Sequence, residues 1–168
     1  MYGQYNVLTE INASRKEALH SSLIASFLKE HEILCAFIKL LSDKININSD
    51  ELIDAAVDTE FVCPDSKRID ILVRLKFKPS GSKEPSYRVL IIENKIDARD
   101  QPQQLDNYFA ALKELGYTSQ EIVLIYLTPE GDDPSEDSFY AANKENASLK
   151  TLSYKKHIMT LLEDSLAL

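Results

Sequence analysis

Cysteine is scarce in this chain, with two residues among 168. Cys35 and Cys63 are too few for a zinc site made of cysteines alone, and both lie in apolar segments, where free thiols are commonly buried. The composition therefore favours a reducing compartment over a disulfide-stabilised secreted domain.

A long apolar run is also missing. No stretch approaches the roughly 20 apolar residues that span a bilayer, and residues 1–11 lack the basic start and apolar stretch of a signal peptide. We therefore expect a cytoplasmic protein without a membrane partner.

Positively charged residues are fewer than negatively charged ones. The chain has 19 Lys and Arg and 27 Asp and Glu, which gives a net charge of −8. This balance argues against nonspecific coating of nucleic acid or of an anionic membrane. The bases are unevenly spread, however. Residues 61–105 contain nine bases and six acids, a local charge of +3, which leaves −11 for the rest of the chain. The acidic total is thus compatible with a local basic site.

The remaining composition is that of a packed globular protein. Hydrophobic residues make up 44% and charged residues 27%, so disorder, collagen and coiled coil are poor descriptions. The length predicts one domain over residues 1–168.

Hydrophobic spacing predicts helices in the first third of the chain. Ser14 and Glu17 have the spacing of a helix capping box ahead of an amphipathic helix. A second apolar segment, 33–41, suits another helix, and Ser49 can begin a third that runs to about Val57.

The pattern then changes to that of a sheet. Alternation predicts a strand over 69–77, which forms an antiparallel hairpin with a second strand over 87–93. A helix over 101–115 connects this hairpin to a buried strand over 121–127, and a crossover of this length implies parallel pairing. The sheet is therefore mixed, and a short strand and a helix over 149–166 complete the chain.

Two charged residues end a strand that is otherwise apolar. Glu93 and Lys95 follow the apolar run 89–92 and share one side of the strand, whereas Asn94 faces away. Buried charge is costly unless it is paired or binds a metal. Asp70 lies near the start of the partner strand, so antiparallel pairing brings its carboxylate to the same end of the sheet.

Two carboxylates at one sheet end suit a hard divalent cation. Mg²⁺ prefers oxygen ligands, which Asp70, Glu93 and the backbone carbonyl of Asn94 can supply together with water. Mn²⁺ is the expected substitute. Lys95 would orient the attacking water and stabilise negative charge that develops on a phosphate.

These residues resemble a known family. Arg68-Ile69-Asp70-Ile71 and Ile91-Ile92-Glu93-Asn94-Lys95 resemble the motifs of the PD-(D/E)XK nuclease superfamily. The resemblance is greatest to a bacterial group with an Arg-Ile-Asp strand, a Glu-Asn-Lys strand and a Gln-Leu-x-x-Tyr helix. Gln104 to Tyr108 match that helix, and residues 16–21 match the group's first helix, which has a Glu and a His-Ser pair.

The resemblance implies a restriction-endonuclease-like α/β fold, in which helices flank a central mixed β-sheet with an α-β-β-β-α-β core. It further implies magnesium-dependent hydrolysis of DNA, with Asp70 and Glu93 as metal ligands and Lys95 as the catalytic lysine. Relatives of this type often continue beyond a helix like the one near Leu162, which leaves open a truncation at the carboxyl end.

Simpler interpretations of the catalytic candidates stay open. Glu17 can complete the capping box or contact metal-bound water. Asp70 can form a structural ion pair with Arg68 or Lys95, and Lys95 can be a solvated strand end.

The substrate-binding candidates have alternatives as well. Gln104 and Tyr108 lie one helical turn apart and can position phosphate, or they can be an exposed amide and a half-buried core phenol. His20 can contact a phosphate or be a polar surface residue. The candidates for contacts to the DNA backbone are Lys67, Arg68 and Arg99.

The first functional hypothesis is a metal-dependent DNA phosphodiesterase, either endonuclease or exonuclease. The alternative is a catalytically inactive binding or assembly module with the same fold, for example an accessory component of a bacterial defence system. A homodimer is compatible with a double-strand cut, although no interface is evident in the sequence.

Overall fold

The structure of the chain is a computed structural model, which describes residues 16–45, 47–64, 67–140 and 148–166. The elements in chain order are α1 (Glu17–Leu28), α2 (His31–Leu40), a 3₁₀ turn (Ser49–Glu51), β1 (Leu52–Val62), β2 (Arg68–Phe77), β3 (Ser86–Asn94), α3 (Gln104–Glu114), β4 (Ile122–Thr128), β5 (Ser148–Ser153), a π-helical turn (Tyr154–Ile158) and α4 (Met159–Leu166).

The chain after the 3₁₀ turn is a strand, so the predicted helix from Ser49 to about Val57 is wrong. Only Ser49–Glu51 is helical, where the Asn48 side chain accepts a hydrogen bond from the backbone N of Asp50 at 3.3 Å. The following residues pair with β2 along the length of β1. Strand pairing with a distant segment thus overrides a weak local preference for helix.

Five strands form one sheet in the order β1-β2-β3-β4-β5. β2 is antiparallel to both β1 and β3, whereas β3 and β4 are parallel, as are β4 and β5. The predicted hairpin, the parallel connection through α3 and the mixed sheet are confirmed. The register sets Ile71 opposite Ile92 and therefore brings Asp70 close to the level of Glu93.

Helices cover both faces of the sheet. Apolar residues of α1, α2 and α4 pack on one face with Ile71, Val73 and other alternate strand residues. Residues of α3, among them Leu105 and Leu112, pack on the other face. All seven residues of β4 are buried, as expected for a strand that is covered on both sides.

This arrangement determines where polar groups can meet. β3 and β4 are parallel, so their carboxyl ends lie at one edge of the sheet, and the antiparallel β2 starts at the same edge. α1 and α3 both begin near this edge. None of the described helices combines the length and apolar content that a membrane crossing requires.

Candidate active site

A cavity of about 320 Å³ opens at this edge of the sheet. We call it the Glu93 cavity. It is lined by Glu17, Lys67, Arg68, Asp70, Glu93, Lys95, Gln101, Pro102, Gln104, Asn107 and Tyr108. The structure therefore brings together most of the site residues that the sequence predicts.

Glu93 lies at the bottom of the site and is only 1% exposed. Its Oε1 accepts a hydrogen bond from Gln104 Nε2 at 2.8 Å and contacts Lys95 Nζ at 2.7 Å. Its Oε2 is buried and has no hydrogen-bond partner among the described residues. Burial, and after it the negative charge of Asp70, raises the pKa of Glu93 to about 7.

Asp70 is the second carboxylate of the cavity. Its Oδ2 accepts a hydrogen bond from the backbone N of Asn94 at 2.9 Å, which ties β2 to the end of β3. Burial raises the pKa of Asp70 despite this bond. The ion pair with Arg68 that the sequence allowed is not formed, because Arg68 Nη1 contacts Glu60 Oε2 at 2.8 Å.

Lys95 is the buried cation of the cavity, and at 8% exposed it is not a solvated strand end. Burial works against its charged form. The attraction of Glu93, with further contributions from Glu17 and Asp70, outweighs burial and raises the pKa of Lys95. Its ammonium therefore stays charged beside the two carboxylates at neutral pH.

Gln104 and Tyr108 belong to the same hydrogen-bond network. Gln104 Nε2 donates to Tyr108 Oη at 3.0 Å as well as to Glu93, and Tyr108 Oη donates to the backbone O of Arg68 at 2.6 Å. Both side chains are buried, which contradicts an exposed glutamine and a half-buried phenol. They hold the Glu93 carboxylate and the start of β2 in place.

Asn94 faces away from Glu93 and Lys95, as the strand alternation predicts. Its Nδ2 donates to the backbone O of Glu17 at 3.2 Å and to Ser21 Oγ at 3.1 Å, and its Oδ1 accepts from Tyr154 Oη at 2.9 Å. The contribution of Ser21 and Tyr154 was not predicted. A fully buried asparagine needs hydrogen-bond partners, but the sequence does not name them.

Glu17 is not the third residue of a capping box. α1 begins at Glu17 with Lys16 as its N-cap, and Ser14 lies outside the described residues. The Glu17 Oε1 instead accepts hydrogen bonds from the backbone N of Ile96 at 2.9 Å and of Ala98 at 3.2 Å.

The family model of the PD-(D/E)XK nuclease superfamily matches residues 2–167. The chain belongs to this superfamily. The sheet order and the flanking helices confirm the predicted α/β fold with a mixed sheet. Three strands precede α3, as the α-β-β-β-α-β core requires.

No curated protein matches the chain. Among solved structures, the MspJI restriction endonuclease in complex with a 27-mer oligonucleotide is similar over 89% of this chain, with 12% identity and a TM-score of 0.36. The chain spans 32% of the length of that protein.

The remaining candidates from the sequence divide into two groups. Lys67 and Arg68 lie at the rim of the Glu93 cavity and are exposed. Arg99 is exposed but does not line the cavity, nor does His20, whose ring packs edge-on against Tyr154 with 5.9 Å between centroids. A direct role of His20 at the cavity is therefore not supported.

The donor set fits a magnesium-type cation. PD-(D/E)XK nucleases generally use divalent metal ions. Such ions are commonly held by one or two carboxylates plus water. Among the described residues, no three His, Cys, Asp or Glu side chains form a metal-binding cluster. Asp70 and Glu93 do share one cavity, and the buried Glu93 Oε2 lacks the partner that a cation would provide.

Tyr108→Phe tests the network around Glu93. The substitution removes the hydroxyl that donates to the Arg68 carbonyl and accepts from Gln104. The Gln104 amide and the Arg68 carbonyl would each lose a hydrogen bond, so the free energy of unfolding is expected to fall by about 1–2 kcal/mol. Chemical denaturation measures the change, and the exposed Tyr87→Phe serves as the control. Equal stabilities of the two variants would contradict the described role of Tyr108.

Proposed function

We propose that the chain is a metal-dependent DNA phosphodiesterase of the PD-(D/E)XK type. The observation that best supports this function is the buried, unpartnered Oε2 of Glu93, in a cavity shared with Asp70 and beside Lys95. A buried carboxylate oxygen without a donor is costly unless a cation binds it. The residues are thus arranged as a cation site with an ammonium next to it.

The proposed metal ligands are Asp70, Glu93 and the backbone carbonyl of Asn94, with Mg²⁺ or Mn²⁺ as the ion. When bound, such an ion supplies Lewis-acid polarisation of a phosphate and offsets the charge of the two carboxylates. Gln104 keeps the Glu93 carboxylate oriented, and the backbone N of Asn94 does the same for Asp70.

Lys95 is the proposed catalytic residue. One N–H of its ammonium is directed to Glu93 Oε1. An ammonium has two further N–H donors, which we propose bind a water molecule or a phosphate oxygen. In this position Lys95 can orient the attacking water and stabilise the negative charge that grows on the phosphate during hydrolysis.

Contacts to DNA are proposed for the basic side chains near the cavity. Lys67 and Arg68 at the rim are the best placed, and Arg99 would contact the backbone farther out. Gln104 and Tyr108 would act on substrate through Glu93, because their polar groups already bind within the protein. A cytoplasmic location and a homodimer that cuts both strands remain part of the proposal.

One observation favours the alternative, an inactive binding or assembly module of the same fold. The Lys95–Glu93 ion pair and Gln104 form a connected network that needs no substrate to hold it together. A module of this kind would bind DNA or a protein of a defence system and leave phosphodiester bonds intact.

The test is incubation of the protein with linear, circular and single-stranded DNA, with Mg²⁺, with Mn²⁺ and with a chelator. We expect cleavage with either ion and none with the chelator, and cutting of circular DNA would identify an endonuclease. Asp70→Asn keeps an acceptor for the Asn94 amide but removes the charge, so it should fold and fail to cut. Asp132→Asn in an exposed loop is the matched control. Equal cutting by wild type and Asp70→Asn would indicate a contaminant and defeat the proposal.

A further inference from the structure

The segment that carries Lys95 is attached to the first two turns of α1 on both sides of the lysine. On the amino-terminal side, the Asn94 side chain donates to the backbone O of Glu17 and to Ser21 Oγ. On the carboxyl-terminal side, the backbone N of Ile96 donates to Glu17 Oε1. Glu17 therefore contacts both neighbours of Lys95, once through its backbone and once through its side chain.

The contacts of Glu17 begin where the sheet ends. The backbone N of Lys95 still bonds to the backbone O of Leu127 at 2.9 Å, but β3 ends at Asn94. In the segment that follows, Ile96 N and Ala98 N both use Glu17 Oε1 as their acceptor. Because backbone donors near a protein interior need partners, loss of this oxygen would leave the amides of Ile96 and Ala98 without this acceptor and would loosen their attachment to α1.

We propose that Glu17 is a positioning residue, which holds the Lys95 ammonium at Glu93 by binding the amides of Ile96 and Ala98. What this role requires is an acceptor oxygen at the end of the side chain, not a negative charge. A ligand of the metal or of its water would instead require the carboxylate. The consequence for cleavage rests on the proposed function, whereas the attachment of the segment does not.

Two substitutions of Glu17 separate these roles. Glu17→Gln keeps an acceptor oxygen at nearly the same place, although a neutral acceptor forms weaker bonds, so cleavage should fall by no more than about threefold. Glu17→Ala removes the acceptor, and the resulting displacement of Lys95 should reduce cleavage by about 100-fold. Glu32→Ala is the matched control, because Glu32 is an exposed acid in the first turn of α2.

Hydrogen exchange of the Ile96 and Ala98 amides, followed by NMR in metal-free protein, gives a readout that does not depend on activity. Both amides should stay protected in the wild type and in Glu17→Gln, and should exchange at least about tenfold faster in Glu17→Ala. The hydrogen-exchange measurement remains decisive if the wild type does not cut DNA. Failure to cut would contradict the proposed function but not the attachment of the segment to Glu17.

Either of two results would overturn the inference. One is a Glu17→Gln variant with protected amides and a loss of cleavage as large as that expected for the alanine variant, which would assign the role to the charge. The other is unchanged amide protection in Glu17→Ala. If Glu17→Ala does not fold, Glu17→Gln alone tests the inference. Protected Ile96 and Ala98 amides together with a nearly unchanged rate of DNA cleavage would then support it.

Discussion

Lys95→Met is expected to lower the rate of DNA cleavage by about 1,000-fold, because it removes a preorganised charge from a buried position beside the proposed cation site. Methionine is similar to lysine in length and apolar bulk, so the packing around this residue, which is 8% exposed, is largely kept. What is lost is the ammonium 2.7 Å from Glu93 Oε1. The direct measurement is single-turnover cleavage of one DNA substrate by the wild type and the variant.

Metal binding distinguishes a catalytic role of Lys95 from a structural one. An ammonium beside the carboxylates repels a divalent cation, so Lys95→Met should bind Mn²⁺ at pH 8 at least as tightly as the wild type. Calorimetric titration with Mn²⁺ tests this. Lys39→Met, at an exposed position of α2, controls for the loss of one positive charge. A parallel loss of cleavage and Mn²⁺ affinity in Lys95→Met would show that the lysine maintains the site and does not act on the reaction.

The meeting of Asp70 and Glu93 could be predicted from the sequence because it depends on local patterns. Alternating hydrophobicity identifies β2 and β3, the short turn between them makes the pair antiparallel, and the positions along each strand place both acids at one end. The motif residues of α3 follow from helical spacing in the same way. Each step uses residues that are close in the chain or repeat with a fixed period.

The contacts that were missed join distant parts of the chain. Glu17 and Ile96 are 79 positions apart, and Asn94 and Tyr154 are 60 positions apart. No periodicity links such residues, so the sequence shows that a buried Asn94 needs partners without showing which they are. The resemblance implies a third strand before α3, but the position of β1 was missed for the same reason, because its identity as a strand depends on pairing with β2 more than on its own composition.

The metal-free protein is expected to lose stability as the pH rises from about 4.5 to about 7, because of Glu93. Its pKa is higher in the folded protein than in the unfolded chain, so the folded state keeps a proton that the unfolded chain has released. The stabilisation is complete below pH 4.5 and is lost as the pH passes about 7. The shift from 4.5 to about 7 corresponds to about 3 kcal/mol in the free energy of unfolding.

Glu93→Gln isolates this contribution. Chemical denaturation at a series of pH values, in the presence of a chelator, should give a falling stability for the wild type and a flatter profile for the variant. The difference between the two profiles reports Glu93 together with its coupling to Asp70, since the other acids titrate in both proteins. Glu114→Gln, an exposed acid at the end of α3, should keep the wild-type slope. Parallel profiles for wild type and Glu93→Gln would show that this carboxyl does not hold the proton.

A divalent cation should reverse the loss of stability above pH 7, because a cation at the proposed site would compete with the proton for the buried Glu93 carboxylate, whose Oε2 has no hydrogen-bond partner among the described residues. At about 100 times the dissociation constant, Mn²⁺ should stabilise the wild type by about 2.7 kcal/mol, and Glu93→Gln by much less. Mn²⁺ should also move the pH at which the wild type loses stability to lower values, since binding favours the ionised carboxyl. Equal stabilisation of wild type and Glu93→Gln would place the bound ion elsewhere, and the cavity would then be a structural ion-pair network in a fold that its relatives use for cleavage.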